Sequence, residues 1–494
     1  MPTDKYQKLI ALGGFLLLTI NLGAWSIADS YSGNLIHSFN ARNQAMGNSG
    51  VYDNYGAASI LTNPANLSML PGTAGLQVNA IFTSNDETRS FPLYNSFDTF
   101  IDDATYSSNL NLYDDYGFAG YGKYQVEFLT AGLGLHYLPL YDFCANYDEE
   151  IRNINNSDND GYPEMIALNR ISNKGRLNSL GGTLSCGMDL PEGMEAHVGC
   201  TFSMLKGTVD RKTSIRWTEW AINQSIEATA TGSTAGTNVL PDSSFTYNTD
   251  LSGTQIKIGT DLKVNSRLGL GIAYTPKTKV DLDATYHVLY KPFGNDGYAS
   301  AVDVTHSYKD TYTLPSRLRF GFNYQPRNIM RTSFNAELEY VSWKECSEMY
   351  EDAWDMHVGV EHKIENRVPL RLGFQSVTDW LTTPDFRQVN ADFSPSFNTI
   401  KVITPSITAG SSVAILKNLS LDLGLSFGWR EYETLDLFRD SYYYNSNIPT
   451  PVLNAVWDIT TSVSHFAPTD RDWTNPDKVR ESFVNIASSL TWNW

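Results

Sequence analysis

The sequence predicts an all-β protein: a fourteen-stranded antiparallel transmembrane β-barrel with an amino-terminal hatch. Three observations carry this. The chain ends in a strictly alternating run, it begins with a removable-leader pattern, and the connections between its alternating segments are short and long in turn.

The terminal run places Val484, Ile486, Leu490, Trp492 and Trp494 on one face and Asn485, Ala487, Ser489, Thr491 and Asn493 on the other. Period-2 alternation is the mark of a strand with two different environments. Ending on an aromatic is the pattern of a last outer-membrane strand, and this end is the expected contact for the barrel-assembly machinery. At the other terminus, Lys5 and Lys8 precede an apolar stretch from Leu9 to Trp25, followed by Ser26-Ile27-Ala28. This is the n-region, h-region and small-x-small order of a secretory signal peptide. We assign 1–28 to it, 29–73 to a hatch and 74–494 to the barrel. No second apolar run approaches the length needed to span about 30 Å of hydrocarbon as a helix.

Aromatic residues make up 13% of the 494 residues while mean hydropathy is negative. That combination suits strands that expose only every second residue to lipid. The net charge of −18 opposes nucleic-acid binding, which needs Lys and Arg against phosphate. The four cysteines are too few for a disulfide scaffold. Cys186 and Cys200 flank the turn Leu190-Pro191-Glu192-Gly193 and either face each other across a hairpin or are two small residues on packed strands.

Period-2 segments fall near 74–83, 112–122, 126–140, 175–189, 194–208, 250–264, 267–290, 313–326, 332–343, 353–364, 368–378, 401–416, 419–432 and 479–494. Their faces are sorted. Leu419, Leu421, Leu423, Leu425, Phe427 and Trp429 alternate with Asp422, Gly424, Ser426 and Gly428, so charge keeps to one side. A Lys or Arg on the lipid side costs about 2–4 kcal/mol at mid-depth, whereas a lumen-facing charge meets water. Closure follows because an open edge would leave unpaired backbone groups in hydrocarbon. The expected long loops, 84–111, 141–174, 209–249, 291–312, 379–400 and 433–478, all fall on the outer side. Short turns on the opposite side give the asymmetry of bacterial outer-membrane barrels. A soluble sandwich shares the alternation but not the parity.

Fourteen strands enclose more space than wall side chains fill, so the interior is a channel or is plugged. The residues before the first strand are rich in Gly and small residues, with Ala45-Met46-Gly47-Asn48-Ser49-Gly50-Val51 followed by Asn63-Pro64-Ala65-Asn66. These motifs resemble the amino-terminal hatch of the FadL/TodX family of outer-membrane hydrophobic-compound transporters. Thr313 to Gly321, Ala336 to Trp343 and Leu370 to Phe374 extend the resemblance over most of the chain. It implies a fourteen-stranded barrel with a periplasmic hatch, and the lack of catalytic motifs in the sequence separately leads us to expect no enzyme. It also implies passive uptake of long-chain fatty acids or hydrocarbons from the lipopolysaccharide-covered surface. Carried over residue by residue, Met46, Gly47, Gly50, Asn63, Pro64 and Ala65 fall in the hatch and its gate, the alternative for Asn63-Pro64-Ala65 being a structural turn. Secretion-associated barrels with the same motifs, and general diffusion porins, are the alternative readings.

Substrate residues do not transfer by motif. Trp217 and Trp220 in the 209–249 loop, and Tyr162 and Met165 in the 141–174 loop, are candidates for initial capture, the alternative being loop-to-loop packing. Arg319, Arg371, Glu337 and Glu339 are expected to point into the lumen, where they can meet a polar head group. Asn156, Asp158, Asp160 and Glu164 alternate before and after a Gly turn, as in calcium loops, although Ala167 stands where an EF-hand glutamate would. A solvated acidic turn is the competing reading, and no other cofactor is expected. The eight histidines show no metalloprotease spacing, and there is no nucleophile elbow or P-loop.

Overall fold

The computed structural model describes residues 33–95, 97, 99–152, 165–219, 243–290, 302–329, 331–364, 368–389, 395–434 and 477–494. The barrel strands are β1 Ala74–Tyr94, β2 Phe100–Val126, β3 Leu129–Asp142 continued as Ala145–Arg152, β4 Met165–Asp189, β5 Glu195–Trp217, β6 Ser243–Asn265 and β7 Leu268–Thr275 continued as Thr278–Tyr290. They are followed by β8 Val302–Leu314 continued as Arg317–Tyr324, β9 Ser333–Val341, β10 Ala353–Ile364, β11 Val368–Val389, β12 Pro395–Leu416, β13 Leu419–Thr434 and β14 Asp477–Asn493. The breaks in β7 and β8 fall at Pro276 and Pro315, each of which lacks the backbone donor a continuous ladder needs. All neighbours are antiparallel, and β14 pairs with β1 from Lys478↔Ser90 to Asn493↔Gly75, which closes the fourteen-strand barrel. The Trp494 carbonyl accepts from Thr73 N (2.9 Å) and Ala74 N (3.1 Å), fastening the two ends of the barrel sequence together.

The two faces differ as the alternation requires. Leu423, Leu425, Phe427 and Trp429 are exposed on the outside, while Asp422 and Ser426 between them are buried. Exposed apolar side chains continue around the wall through Phe118, Leu135, Leu184, Phe202, Ile258, Ile272, Leu372, Ile407 and Ile486. A belt of this extent is stable only against acyl chains, so this is an outer-membrane barrel. Among the described residues no helix is long and apolar enough to cross a membrane.

Several strands are longer than the sequence pattern indicates. β2, β4, β5, β6, β8 and β11 run on into segments expected to be loops, including 100–111, 165–174 and 209–217. These extensions lie beyond the apolar belt, where the outward face is polar (Arg170, Lys174) and the buried inward face mixes Asn169 and Asn173 with Ala167 and Ile171, so the ladder continues without the hydrophobic signal. Thr208-Val209-Asp210-Arg211-Lys212-Thr213-Ser214, paired from Arg176↔Thr208 to Arg170↔Ser214, is one example. The two cysteines flanking the β4–β5 turn are unbonded. Cys186 lies opposite Val198 and Cys200 opposite Leu184, so they are diagonal neighbours. Diagonal pairs sit about 7–8 Å apart, beyond disulfide reach.

The described residues preceding β1, 33–73, are inside. They comprise a two-residue strand at Asn34–Leu35, the helix α1 at Ala41–Ala45, a 3-10 turn at Ala57–Leu61 and the helix α2 at Asn66–Met69. α1 starts at Asn40, whose side chain accepts from Arg42 N (2.9 Å) and satisfies an otherwise orphaned donor. Phe39, Ile60, Leu67 and Leu70 form a buried cluster with Ala119 and Leu138 of the wall.

Candidate functional site

Two features stand out: the contact of the leading segment with the inner wall, and an interruption of the wall beside it.

The contact depends first on space. A Cβ on Gly373 would lie 2.2 Å from Gly47 N, and one on Gly359 would lie 2.5 Å from the Met46 carbonyl oxygen. On the opposite side, a Cβ on Gly199 would meet the Pro64 carbonyl at 2.4 Å, and one on Gly259 the Asn63 side chain at 1.7 Å. Glycine at Gly373, Gly359 and Gly199 lets backbone seat directly on backbone, and at Gly259 it makes room for the Asn63 side chain. Gly47 itself has φ +67°, a conformation that L side chains rarely adopt.

Polar contacts then fix the register. Asn63 Nδ2 donates to the Val51 carbonyl (2.7 Å) and to Asp261 Oδ1 (2.8 Å), and its Oδ1 accepts from Ala65 N (3.0 Å). Pro64 and Ala65 continue the turn that this Asn organises. Asn66 Nδ2 donates to the Gly50 carbonyl (2.9 Å) and its Oδ1 accepts from Asp53 N (2.9 Å), tying the two Gly- and Asn-rich motifs together. Gly50 N and Val51 N both donate to Glu337 Oε1, at 2.6 and 2.9 Å. Glu337 Oε2 accepts from Arg319 Nε (2.8 Å), and Arg319 also donates to the Asn48 carbonyl.

A chain of charges completes the contact. Arg42 pairs with Asp53 (2.6 Å) inside the segment and with Glu361 (3.1 Å) on the wall. Glu361 pairs with Arg371 (2.7 Å), Arg371 with Asp422 (2.7 Å), and Asp422 accepts from the Tyr55 hydroxyl (2.9 Å). Arg42 and Arg371 both stand over the Tyr55 ring, at 5.2 and 5.8 Å. Burial pushes the Asp53 carboxyl up from its ordinary value, and the Arg42 guanidinium pulls it back. Burial also disfavours the Arg42 cation, but Asp53 and Glu361 outweigh it and raise its pKa.

The inward charges expected to meet water are therefore buried. Arg319, Arg371, Glu337 and Glu339 are each 5% exposed or less, because the leading segment occupies the space water would fill. Arg42, Asp53, Tyr55 and Glu361 escaped the sequence reading. The lone Arg among small residues after Asn40 was the signal available for them.

The wall interruption lies at β3. Its ladder with β2 runs from Val126↔Leu129 only to Phe118↔Tyr137. Beyond that, Leu138-Pro139-Leu140-Tyr141-Asp142 turns inward, with Leu138 and Asp142 fully buried. Asn34 and Leu35 of the leading segment pair with Asp142 and Tyr141. Pro139 breaks the ladder with β4, where the register shifts between Pro139 and Tyr141. The upper half of β3 approaches β2 mainly through side chains. Asn111 Nδ2 donates to the Asn146 carbonyl (2.9 Å), and Asn109 Oδ1 accepts from Asp148 N (2.9 Å). Arg176 of β4 reaches across the gap to Asp115 Oδ1 of β2 (2.5 Å) and to the Asp114 carbonyl, with Asp142 Oδ2 at 4.0 Å.

A cavity lies on each side of this ion pair. The inner one, 100 Å³, is lined by Leu35, Ile36, Ile81, Val377 and Phe483 together with His37, Asp115 and Arg430. The outer groove, 590 Å³, is lined by Tyr137, Leu180 and Met204 together with Arg176 and Lys206.

Of the capture residues, Trp217 and Met165 are not on loops: they occupy the upper ends of β5 and β4. Trp220 and Tyr162 lie outside the described residues, as do Asn156, Asp158, Asp160 and Glu164 of the calcium pattern and all of 1–28.

A closed fourteen-strand barrel with a lipid-facing belt and its own amino-terminal segment folded into the interior defines a particular class of outer-membrane protein. The chain has the fold of the FadL and TodX channels. The toluene transporter TodX of Pseudomonas putida superimposes with a TM-score of 0.55 at 15% identity, over 93% of this chain and 99% of that one. The toluene transporter TbuX of Ralstonia pickettii gives 0.51 at 16% identity, with coverage of 93% and 99%. A FadL homologue from Pseudomonas aeruginosa gives 0.52 at 14% identity, again over 93% and 99%. No family model and no curated protein matches the sequence.

Proposed function

We propose that the protein is a passive outer-membrane channel for hydrophobic small molecules of the fatty-acid and hydrocarbon class, and that residues 33–73 are its hatch. The observation that carries this reading is the half-apolar inner cavity beside the β3 interruption, with an outer apolar groove on the far side of the Arg176–Asp115 ion pair. A greasy solute gains by leaving water for Ile81, Val377 and Phe483, at about 25 cal/mol per Å² of apolar surface. Arg430, held 2.5 Å from Glu481 and stacked 4.9 Å over Phe483, brings a cation to the same cavity and suits a carboxylate head. Leaving sideways past Asp115 and Arg176 delivers the solute along Tyr137, Leu180 and Met204 to the lipid-facing surface. The packed segment opposes free passage of polar solutes, and movement of Met46-Gly47 and Asn63-Pro64-Ala65 off their glycine seats opens the opposite route. The likeness to hydrocarbon transporters supports this reading through the fold.

The test is uptake in a bacterial host lacking endogenous routes for fatty acids and hydrocarbons. Expression should raise entry of labelled oleate or toluene and leave entry of a small sugar unchanged. Increased sugar entry without any gain in hydrophobic uptake would indicate a general porin and overturn the proposal. Co-purification of secretion components with no uptake gain would indicate a docking barrel instead.

A further inference from the structure

One further cluster joins the leading segment to the wall. His37 of the leading segment, Glu339 of β9 and His357 of β10 bring three ligand atoms within 4.8 Å of one another. Glu339 Oε2 lies 3.7 Å from His37 Nδ1 and 3.6 Å from His357 Nε2. These separations are too long for hydrogen bonds. Glu339 Oε2 and His357 Nε2 are both buried without a hydrogen-bond partner, and the His357 side chain is fully buried.

The orientation of His357 sharpens the point. Its Nδ1 lies 2.9 Å from the Gly47 carbonyl, which can only accept, so the ring proton sits on Nδ1. The Nε2 lone pair then faces a carboxylate oxygen, and two lone pairs confront each other without a hydrogen-bond partner. A single cation between them satisfies both. A backbone carbonyl fixing the far nitrogen of a ligating imidazole is the usual outer-shell arrangement.

We infer that His37, Glu339 and His357 form a binding site for a divalent transition metal of the zinc class, which fastens the leading segment to the barrel wall. Two imidazoles and one carboxylate are a zinc donor set, whereas calcium takes six to eight oxygens. The ion binds Glu339 through Oε2 alone, because Arg317 lies 3.3 Å from Oε1. Arg319 stands 3.8 Å from Oε2, but its Nε is engaged by Glu337. The two guanidiniums weaken the site relative to an isolated His-Glu-His triad and make the ion exchangeable. His37 also lines the inner cavity, which offers a water as fourth ligand. This inference is independent of what passes through the barrel.

The test uses the full mature chain without a histidine tag, in detergent, equilibrated with zinc and then with cobalt. Wild type should hold about one zinc per chain by elemental analysis and show the visible absorption of tetrahedral cobalt. His37→Ala should weaken binding at least about tenfold, and His37→Cys should restore it, since a thiolate also ligates zinc. Unheated gel mobility confirms that each barrel is folded. Zinc should also slow proteolysis of residues 33–73 in wild type and not in His37→Ala. Substoichiometric zinc in folded wild type would overturn the inference and leave a bridging water as the occupant. Unchanged zinc in both His37→Ala and His357→Ala would overturn it as well.

Discussion

Removing Arg42 is the sharpest perturbation of the contact between segment and wall. Arg42 is the cation shared by Asp53 of the segment and Glu361 of β10, at 2.6 and 3.1 Å. In Arg42→Ala, Glu361 keeps Arg371 at 2.7 Å, but Asp53 loses its counter-ion while fully enclosed. Breaking a buried pair by removing one partner costs about 3–5 kcal/mol, chiefly because of the charge left behind. At 1.4 kcal/mol per tenfold, the docked-to-undocked ratio of the segment falls by roughly two to three and a half powers of ten. Limited proteolysis of the purified barrel reads the undocked fraction, and single-channel conductance in planar bilayers reads the opened lumen. The double variant Arg42→Ala/Asp53→Ala removes both partners and should recover most of the loss, because no charge is stranded. Wild-type protection and conductance in the single variant, while a chain lacking 33–73 conducts freely, would refute the reasoning. So would a double variant no better than the single one.

Gly373→Val places a branched side chain where a Cβ already lies 2.2 Å from Gly47 N, and overpacking of about 1–3 kcal/mol should appear as faster proteolysis of the segment with unheated barrel mobility intact. Asp115→Ala removes the carboxylate that holds Arg176 across the β2–β4 gap, so uptake of a hydrophobic probe should rise while sugar entry stays constant, as measured by initial rates in cells. Unchanged hydrophobic entry would place the exit elsewhere. Asn63→Ala strands the Asp261 carboxylate and removes the hydrogen bonds to Val51, Asp261 and Ala65, and proteolysis should show a loss of docking larger than for Ser68→Ala in α2. Cys186 and Cys200 should both react with a thiol reagent after denaturation without reductant, since neither is bonded.

The strands of the belt were legible because lipid outside and polar surroundings inside impose a period of two, and because their parity sets the turns. Leu419 to Trp429 shows this well. The outer extensions of β2, β4 and β5 were not legible, since the outward face turns polar there and the buried inward face mixes polar and apolar residues such as Asn169 and Ile171, so alternation vanishes although the ladder persists. Met46-Gly47 and Asn63-Pro64-Ala65 could be singled out by their Gly and Asn content. Their seats on Gly359, Gly373, Gly199 and Gly259 could not, because an inward glycine on a strand looks the same whether it faces water or another backbone. The inward direction of Arg319, Arg371, Glu337 and Glu339 followed from alternation, but their burial did not.

By itself, then, the sequence determined the barrel, its strand number and which face of each strand meets lipid. These are one-dimensional consequences of the pleat and of the cost of charge in hydrocarbon. Only the tertiary structure decided that Arg42 joins Asp53 to Glu361, that β3 leaves the wall at Pro139, and that His37 meets Glu339 and His357. Those groups lie 11 to 320 positions apart in the chain. The fold of the leading segment inside the closed barrel brings them together, and no local pattern encodes a meeting across an enclosed space.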